Sequence, residues 1–225
     1  MIQPQSMGAA RLLRQLFFCL VILLIASPCL ASLVFINEFH YDNKSSDVNE
    51  AIEIAAPLNT LTDNLMLRLY NGNTQAKYDE ILLKNMMFMN ASNGFGFLTV
   101  NVAPIQNGSA DGIALFNNNK LLQFISYEGT VTINDDLLDG VTSIDIGVSE
   151  NSNTTASQSL QLTGIGQRYQ DFTWQANLES TFGNINSEQT FIAVNEPKLI
   201  ILISIAVLMI LLLKRRQNRL QYKVP

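Results

Sequence analysis

The chain has very few of the residues from which covalent cross-links and nucleophilic sites are built. Two of its 225 residues are cysteine and one is histidine, and both cysteines, Cys19 and Cys29, lie near the N-terminus. A domain that begins at residue 32 therefore has no thiol for a disulfide or for a cysteine-based zinc site. Catalytic triads that need a histidine base have only His40 to use.

Basic residues are also scarce in the middle of the chain. Between Ser32 and Ile192 there are 18 acidic and 6 basic residues, a formal net charge of −12, whereas the whole chain carries −5. An acidic surface of this strength repels phosphates, so the sequence disfavours direct nucleic-acid binding. Carboxylates that converged would bind a cation, although a solvated acidic surface is the commoner outcome.

The first 31 residues have the layout of a secretory signal. Arg11 and Arg14 precede a short apolar run, Leu16 to Ala26, and small residues follow it. We predict a cleaved signal peptide over residues 1–31, with Ala31 at the cleavage point. The alternative is an uncleaved anchor, which the shortness of the run disfavours.

A second apolar run, Leu199 to Leu213, contains no charged residue. Its fifteen residues would span about 22 Å as a helix, against roughly 30 Å for the hydrocarbon core of a bilayer. Lys198 and Lys214 can extend to the interfaces and close that difference. We predict a linker over 194–198, a single transmembrane helix over 199–213 and a basic cytoplasmic tail over 214–225, which places the middle of the chain outside the cytoplasm.

The middle region alternates between apolar and polar residues in short segments separated by Asn, Gly and Asp. This pattern predicts an all-β fold, an antiparallel β-sandwich in one domain over residues 32–193. Hairpin turns are expected at Asn71-Gly72-Asn73 and Asn117-Asn118-Asn119. The predicted strands are 33–40, 51–55, 65–70, 80–83, 94–100, 112–116, 121–127, 143–147, 159–162 and 172–175.

Several motifs in this region together resemble lamin-tail domains, and their order is more specific than any one of them. The resemblance covers nearly all of residues 33–191 and rests on these segments: Phe35-Ile36-Asn37-Glu38-Phe39, Glu50-Ala51-Ile52-Glu53-Ile54, Leu69-Tyr70-Asn71-Gly72-Asn73, Asp111-Gly112-Ile113-Ala114-Leu115, residues 123–129 (QFISYEG), residues 145–150 (DIGVSE), residues 159–164 (SLQLTG) and Asp171-Phe172-Thr173-Trp174. The resemblance implies an immunoglobulin-like sandwich in an extracellular location.

Lamin-tail domains act as binding or attachment units, so the resemblance implies a non-enzymatic module with a protein or glycan partner. In bacteria such modules often precede a nuclease or phosphoesterase domain, which makes an accessory role in such a system the alternative. The segment Asn195-Glu196-Pro197 before the apolar run also resembles a PEP-CTERM sorting tail. That second resemblance implies release from the membrane after processing, as an alternative to permanent anchoring.

Three residues at the first strand form one candidate metal site. Glu38, His40 and Asp42 alternate, so they can project from one face, and imidazole with carboxylates suits a divalent metal. This set would support a metal-dependent hydrolase, the third functional alternative. The competing interpretation is that the strand ends near Asp42 and that these carboxylates are surface or turn groups.

The densest acidic cluster, Asp135, Asp136 and Asp139, is expected in a loop. Hard cations take oxygen ligands from such loops, so Ca²⁺ is the one cofactor candidate, although the spacing is not that of an EF-hand. Otherwise the sequence predicts no cofactor and no catalytic residue. Glu50 and Glu53 are expected on opposite faces of a strand, one of them capping backbone donors.

Two smaller predictions concern glycine and aromatic positions. Gly164-Ile165-Gly166 lacks the third glycine of a dinucleotide-binding loop, so we interpret it as a turn. The tyrosines and Trp174 are expected mainly in the core, as aromatic residues of sandwiches usually are.

Overall fold

The computed structural model describes residues 33–193 and, beyond them, Ile210 alone. The predicted signal peptide, linker and basic tail lie outside the described residues, and so does the predicted transmembrane helix except for Ile210. Within the described part, no helix is long and apolar enough to cross a membrane.

Residues 33–193 form two main sheets and a separate two-stranded hairpin. The seven-stranded sheet, sheet A, has the order β13-β12-β1-β2-β6-β5, and β14 also pairs with β12. Its strands are β1 (Phe35–His40), β2 (Ala51–Pro57), β5 (Met89–Ser92), β6 (Phe95–Asn101), β12 (Gln158–Gly166), β13 (Phe172–Glu179) and β14 (Gln189–Phe191).

The five-stranded sheet, sheet B, has the order β11-β8-β7-β3-β4. It is built from β3 (Leu65–Asn71), β4 (Ala76–Leu82), β7 (Asp111–Asn117), β8 (Lys120–Tyr127) and β11 (Ile144–Asp145). The hairpin consists of β9 (Thr132–Asn134) and β10 (Asp139–Thr142). All pairs are antiparallel except β11 with β8 and β12 with β14.

The two sheets pack face to face as a sandwich around one large apolar core. Alternation along the strands supplies this core, because every second side chain points to the same face. Aromatic rings fill it: Phe95 stacks on Phe191 with ring centroids 4.3 Å apart, and Trp174 meets Phe39 edge-on at 5.4 Å. Trp174 and all tyrosines from Tyr41 to Tyr127 except Tyr78 are buried, which confirms the expectation for most aromatic residues.

The middle strands of sheet B, β3 and β7, are buried on both faces, because the β9–β10 hairpin covers the outer side there, whereas the edge strand β4 is largely exposed. On β3, Leu65, Leu67 and Leu69 face the main core, whereas Met66 and Tyr70 belong to a second apolar cluster under the hairpin. Ile133 and Leu138 of the hairpin complete this second cluster. The molecule therefore has three layers over part of its area.

The two predicted hairpin turns are confirmed, since β3 leads into β4 and β7 into β8 at those positions. The predicted turn at Gly164–Gly166 is wrong, because β12 continues through it and pairs there with β14. The predicted strand at 143–147 is reduced to two residues, and β4 starts four residues earlier than expected. Four short strands, β5, β9, β10 and β14, were not predicted.

The strand directions give the sandwich two distinct ends. At one end β1 starts, β2 ends beside the start of β6, and β14 runs out at Phe191. We call it the tether-side end, since the described chain enters and leaves there. At the opposite end, the distal end, β1 turns into β2 and β6 leads to β7.

Leu67→Ala should lower the free energy of unfolding by about 2–5 kcal/mol, because Leu67 is fully buried between the sheets. The matched control is Ile144→Ala, which removes a side chain that is 64% exposed and should change stability by less than about 0.5 kcal/mol. Trp174 is the only tryptophan, so its fluorescence during urea denaturation of the full chain reports both variants. Equal effects of the two substitutions would contradict the assigned core.

Candidate functional site

A bulge in β1 places two glutamates side by side on the outer face of sheet A. Ile36 pairs with Ile54, but the register then shifts by one residue at Asn37, so Glu38 lies opposite Glu53. Directly opposite side chains in a sheet have Cβ atoms about 4.5–5.5 Å apart. Both glutamates are fully buried, so the interpretation of Glu38 as a surface or turn carboxylate is wrong.

The segment that follows β13 covers this pair and supplies hydrogen-bond donors to it. Glu38 accepts bonds from the hydroxyls of Ser159 and Thr181, each at 2.7 Å, and from the Thr181 backbone N–H at 2.8 Å. Glu53 accepts from the side chain of Asn37 at 2.9 Å and from the backbone N–H of Gly183. The carboxylates therefore fix residues 181–183 onto the sheet.

Burial and mutual repulsion make the two carboxyl groups hard to ionise together. Desolvation, reinforced by the neighbouring Glu38, raises the pKa of Glu53 to about 8. Desolvation also raises the pKa of Glu38, although its four hydrogen bonds oppose that effect. The folded state therefore favours a proton on this pair of carboxyl groups.

The single histidine forms a second buried centre at the distal end. The ring Nδ1 of His40 lies 2.7 Å from one carboxylate oxygen of Glu150, which is 110 residues away in the chain. The other oxygen of Glu150 accepts the backbone N–H groups of Tyr41 and Asp42, at 2.6 and 2.9 Å. Glu150 thus joins the end of β1 to the loop before β12.

Both ring nitrogens of His40 face side-chain oxygens, an arrangement that favours the protonated ring. Its Nε2 lies 3.2 Å from the side-chain oxygen of Asn43, which also accepts the backbone N–H of Val48. The Asn43 amide nitrogen donates to two backbone carbonyls, so the oxygen is the atom that faces the ring. Burial disfavours the ring's charge, but Glu150 and Asn43 outweigh it and the pKa of His40 is raised.

Five loops meet at the distal end around this centre, namely 41–50, 72–75, 102–110, 128–131 and 146–157. Glu50 accepts the backbone N–H of Ile105 at 2.6 Å, which confirms a capping role for one glutamate of the Glu50–Glu53 pair. Tyr41 donates its hydroxyl to Glu128 at 2.8 Å.

Burial and the nearby carboxylate of Asp47 raise the pKa of Asp42. The distal end is therefore acidic and internally cross-linked.

The acidic cluster of the hairpin turn is occupied by an arginine. The guanidinium of Arg68, on the outer face of sheet B, lies 2.6 Å from Asp136, 3.2 Å from Asp135 and 2.9 Å from Glu80. The hydroxyl of Tyr70 adds a bond to Asp135 at 2.9 Å. These contacts fasten the hairpin over its apolar cluster, and the Arg68 guanidinium lowers the pKa of Asp136. Partial burial opposes ionisation of Asp135, but its pKa is lowered mainly by the backbone N–H groups of Leu137 and Leu138, with Tyr70 and Arg68 adding to the effect.

The residues proposed as metal ligands are bound to other groups of the protein. Glu38 and His40 have different hydrogen-bond partners, Asp135 and Asp136 are bound to Arg68, and Asp139 begins β10 on the far side of the turn. Within residues 33–193, no group of three or more His, Cys, Asp or Glu side chains is arranged to hold a metal ion. Because Arg68 already supplies positive charge to Asp135 and Asp136, this turn fits Ca²⁺ poorly.

Three of the pairings in these buried centres could not be predicted from the sequence. Glu150 and Arg68 pair with residues more than 60 positions away. The pairing of Glu38 with Glu53 depends on a one-residue bulge, which turns every later side chain in the strand to the opposite face of the sheet.

Comparison of the chain with protein-family models, with curated proteins and with solved structures finds no match.

Glu53→Gln should flatten the dependence of stability on pH. The pKa of Glu53 is about 8 in the folded protein and near its ordinary value of 4.5 when unfolded, so the folded state binds more protons between these values. The free energy of unfolding of the native chain therefore falls as pH rises through this window. Denaturation at pH 5, 6, 7 and 8 measures the slope. The exposed Glu179→Gln should retain the native slope, and an equally steep slope in Glu53→Gln would contradict the assignment.

Glu150→Gln should lower the pKa of His40 below 6.5, since burial remains while the carboxylate is lost. In the native chain the raised pKa means that the imidazolium stabilises the fold at low pH and that this contribution is lost as pH rises through the folded pKa. His40 is the only histidine, so its NMR titration is unambiguous. The control is Glu128→Gln, which touches Tyr41 rather than His40. A titration unchanged by Glu150→Gln would refute the pairing.

Proposed function

We propose that the chain is a non-enzymatic, membrane-anchored binding or attachment module that works outside the cytoplasm. Its sandwich would be of the immunoglobulin-like, lamin-tail type, secreted by residues 1–31 and held by a transmembrane helix over 199–213. The partner is a protein or a glycan, and direct nucleic-acid contact is disfavoured by the charge of the domain.

One observation carries this proposal: the chain enters and leaves the sandwich at one end, and the cross-linked polar loops lie at the other. Such an arrangement suits a tethered module, because the loops face away from the anchor and are free to meet a partner. The apolar run that begins at Leu199 follows closely on the last described strand residue, Phe191.

The distal loops combine exposed side chains with a fixed backbone, which is the combination a recognition surface needs. Lys44, Asp47 and Asn107 are exposed there. Beneath them the Lys44 N–H bonds the carbonyl of Thr154 at 2.9 Å, and Glu150 holds the start of the same loop. Little ordering entropy would be lost when such loops bind a partner.

The buried titratable side chains support the role of a scaffold. Glu38, Glu53, His40 and Glu150 each bind backbone or side-chain groups from a distant part of the chain. Their buried contacts stabilise the loops and the segment over sheet A. This use of ionisable groups favours a binding module over a hydrolase.

Topology is tested by an epitope inserted between Ser45 and Ser46, in the exposed distal loop, combined with a second tag after Pro225. In intact cells we expect protease and antibody to reach the distal epitope, while the C-terminal tag is protected until the membrane is opened. An inaccessible distal epitope in intact, expressing cells would refute an extracytoplasmic domain. The same epitope inserted between Asn73 and Thr74, in a second exposed distal loop, serves as the matched control for exposure.

A further inference from the structure

Large apolar side chains are exposed at the tether-side end of the sandwich. Five of them lie in or beside the loops that follow β2 and β4 and define the tether-side patch: Leu58, Leu61, Leu82, Met87 and Met89, exposed by 41, 78, 67, 72 and 60%. Two more, Ile165 and Ile192, are 68 and 50% exposed where β12 and β14 end. Within residues 33–193, only Val48 and Ile144 are comparable and lie elsewhere.

The two loops of the patch are joined to each other and to the last strand. Thr62 donates its hydroxyl to the carbonyl of Met86 at 2.7 Å, which ties the loop after β2 to the loop after β4. Leu58 N–H bonds the carbonyl of Gly94, and the neighbouring Asn93 side chain bonds the carbonyl of Phe191. The loops that carry the exposed apolar side chains are therefore adjacent to one another, beside the point where the described chain leaves the domain.

The remaining length of chain restricts how far this surface can lie from the apolar run. Five residues separate Ala193 from Leu199, and even fully extended they span no more than about 20 Å. Whatever holds the run at 199–213 therefore also holds the tether-side patch close by. Large contiguous exposed apolar patches mark interaction surfaces in soluble domains.

The net negative charge of the domain is concentrated away from the tether-side end. The tether-side end carries three basic residues, Lys84, Lys120 and Arg168, and three acidic ones, Asp63, Asp171 and Glu188. The net charge of −12 between Ser32 and Ile192 therefore resides in the rest of the domain. An anionic lipid surface would repel the distal end, whereas the tether-side end can approach it.

We infer that the tether-side patch lies in the interfacial layer of the lipid bilayer, so that the domain contacts the membrane through the Leu and Met side chains of the patch. This inference rests on the proposed anchoring and adds an orientation to it. Leu61 and Met87 insert among the headgroups and upper acyl chains, while Lys84 and Lys120 lie at headgroup level. The distal loops then point directly away from the membrane.

The test uses the full chain, with Cys19→Ser and Cys29→Ser, reconstituted in vesicles of phosphatidylethanolamine and phosphatidylglycerol. Single nitroxide labels are attached to Leu61→Cys, Met87→Cys or the matched Val48→Cys, which is also apolar and exposed but lies at the distal end. Relaxation by dissolved oxygen, which partitions into lipid, and by a water-soluble nickel chelate gives the depth of each label. Unchanged Trp174 emission verifies that each variant is folded.

Labels at 61 and 87 should show an oxygen-to-nickel accessibility ratio at least about fivefold higher than the label at 48, as expected for immersion below the headgroups. Three equal, water-like ratios in vesicle-bound protein would overturn the inference while leaving the anchor intact. Dipolar broadening between labels at 61, with no contact with lipid, would also overturn it, because a second copy would then cover the patch. Failure of the chain to remain with the vesicles would instead refute the proposed anchoring.

Discussion

The pairing of Glu38 with Glu53 is the interaction on which much of the architecture depends. Two carboxyl groups in fully buried neighbouring positions are costly unless donors surround them, and here the donors come from Ser159 and from the segment that begins at Thr181. The same segment leads to β14, whose Phe191 fills the core beside Phe95. A polar contact on the outside of sheet A thus determines how the last strand reaches the apolar interior.

Polar centres connect distant parts of the chain on three sides of the sandwich. Glu38 with Glu53 fastens the segment after β13, His40 with Glu150 fastens the distal loops, and Arg68 fastens the β9–β10 hairpin. In each case a charged or proton-sharing group on an apolar strand bonds to residues far away in sequence. The domain lacks disulfides beyond residue 31, and these centres provide long-range connections in their place.

The sequence was sufficient to predict the long strands, but it could not predict the elements that form only through tertiary pairing. Strands β3, β7 and β8 alternate strongly and flank Asn-rich turns, so local pattern identifies them. Strands β9 and β14 are three residues each and form only where a partner strand meets them. Glu38 and His40 were predicted as metal ligands, but each is bound to a partner more than 100 positions away in the chain, Ser159 and Glu150, where no spacing rule applies.

The parallel pairing of β14 with β12 has a mechanical consequence. The chain leaves β14 in the strand direction, and β14 is joined to β12 through Gly164, Ile165 and Gly166. A pull on residue 193 along that direction stretches these cross-strand bonds together, in shear, instead of opening them one after another. The buried ring of Phe191 must leave its aromatic contacts in the same step. The end of the domain at which the described chain leaves is therefore built to resist force.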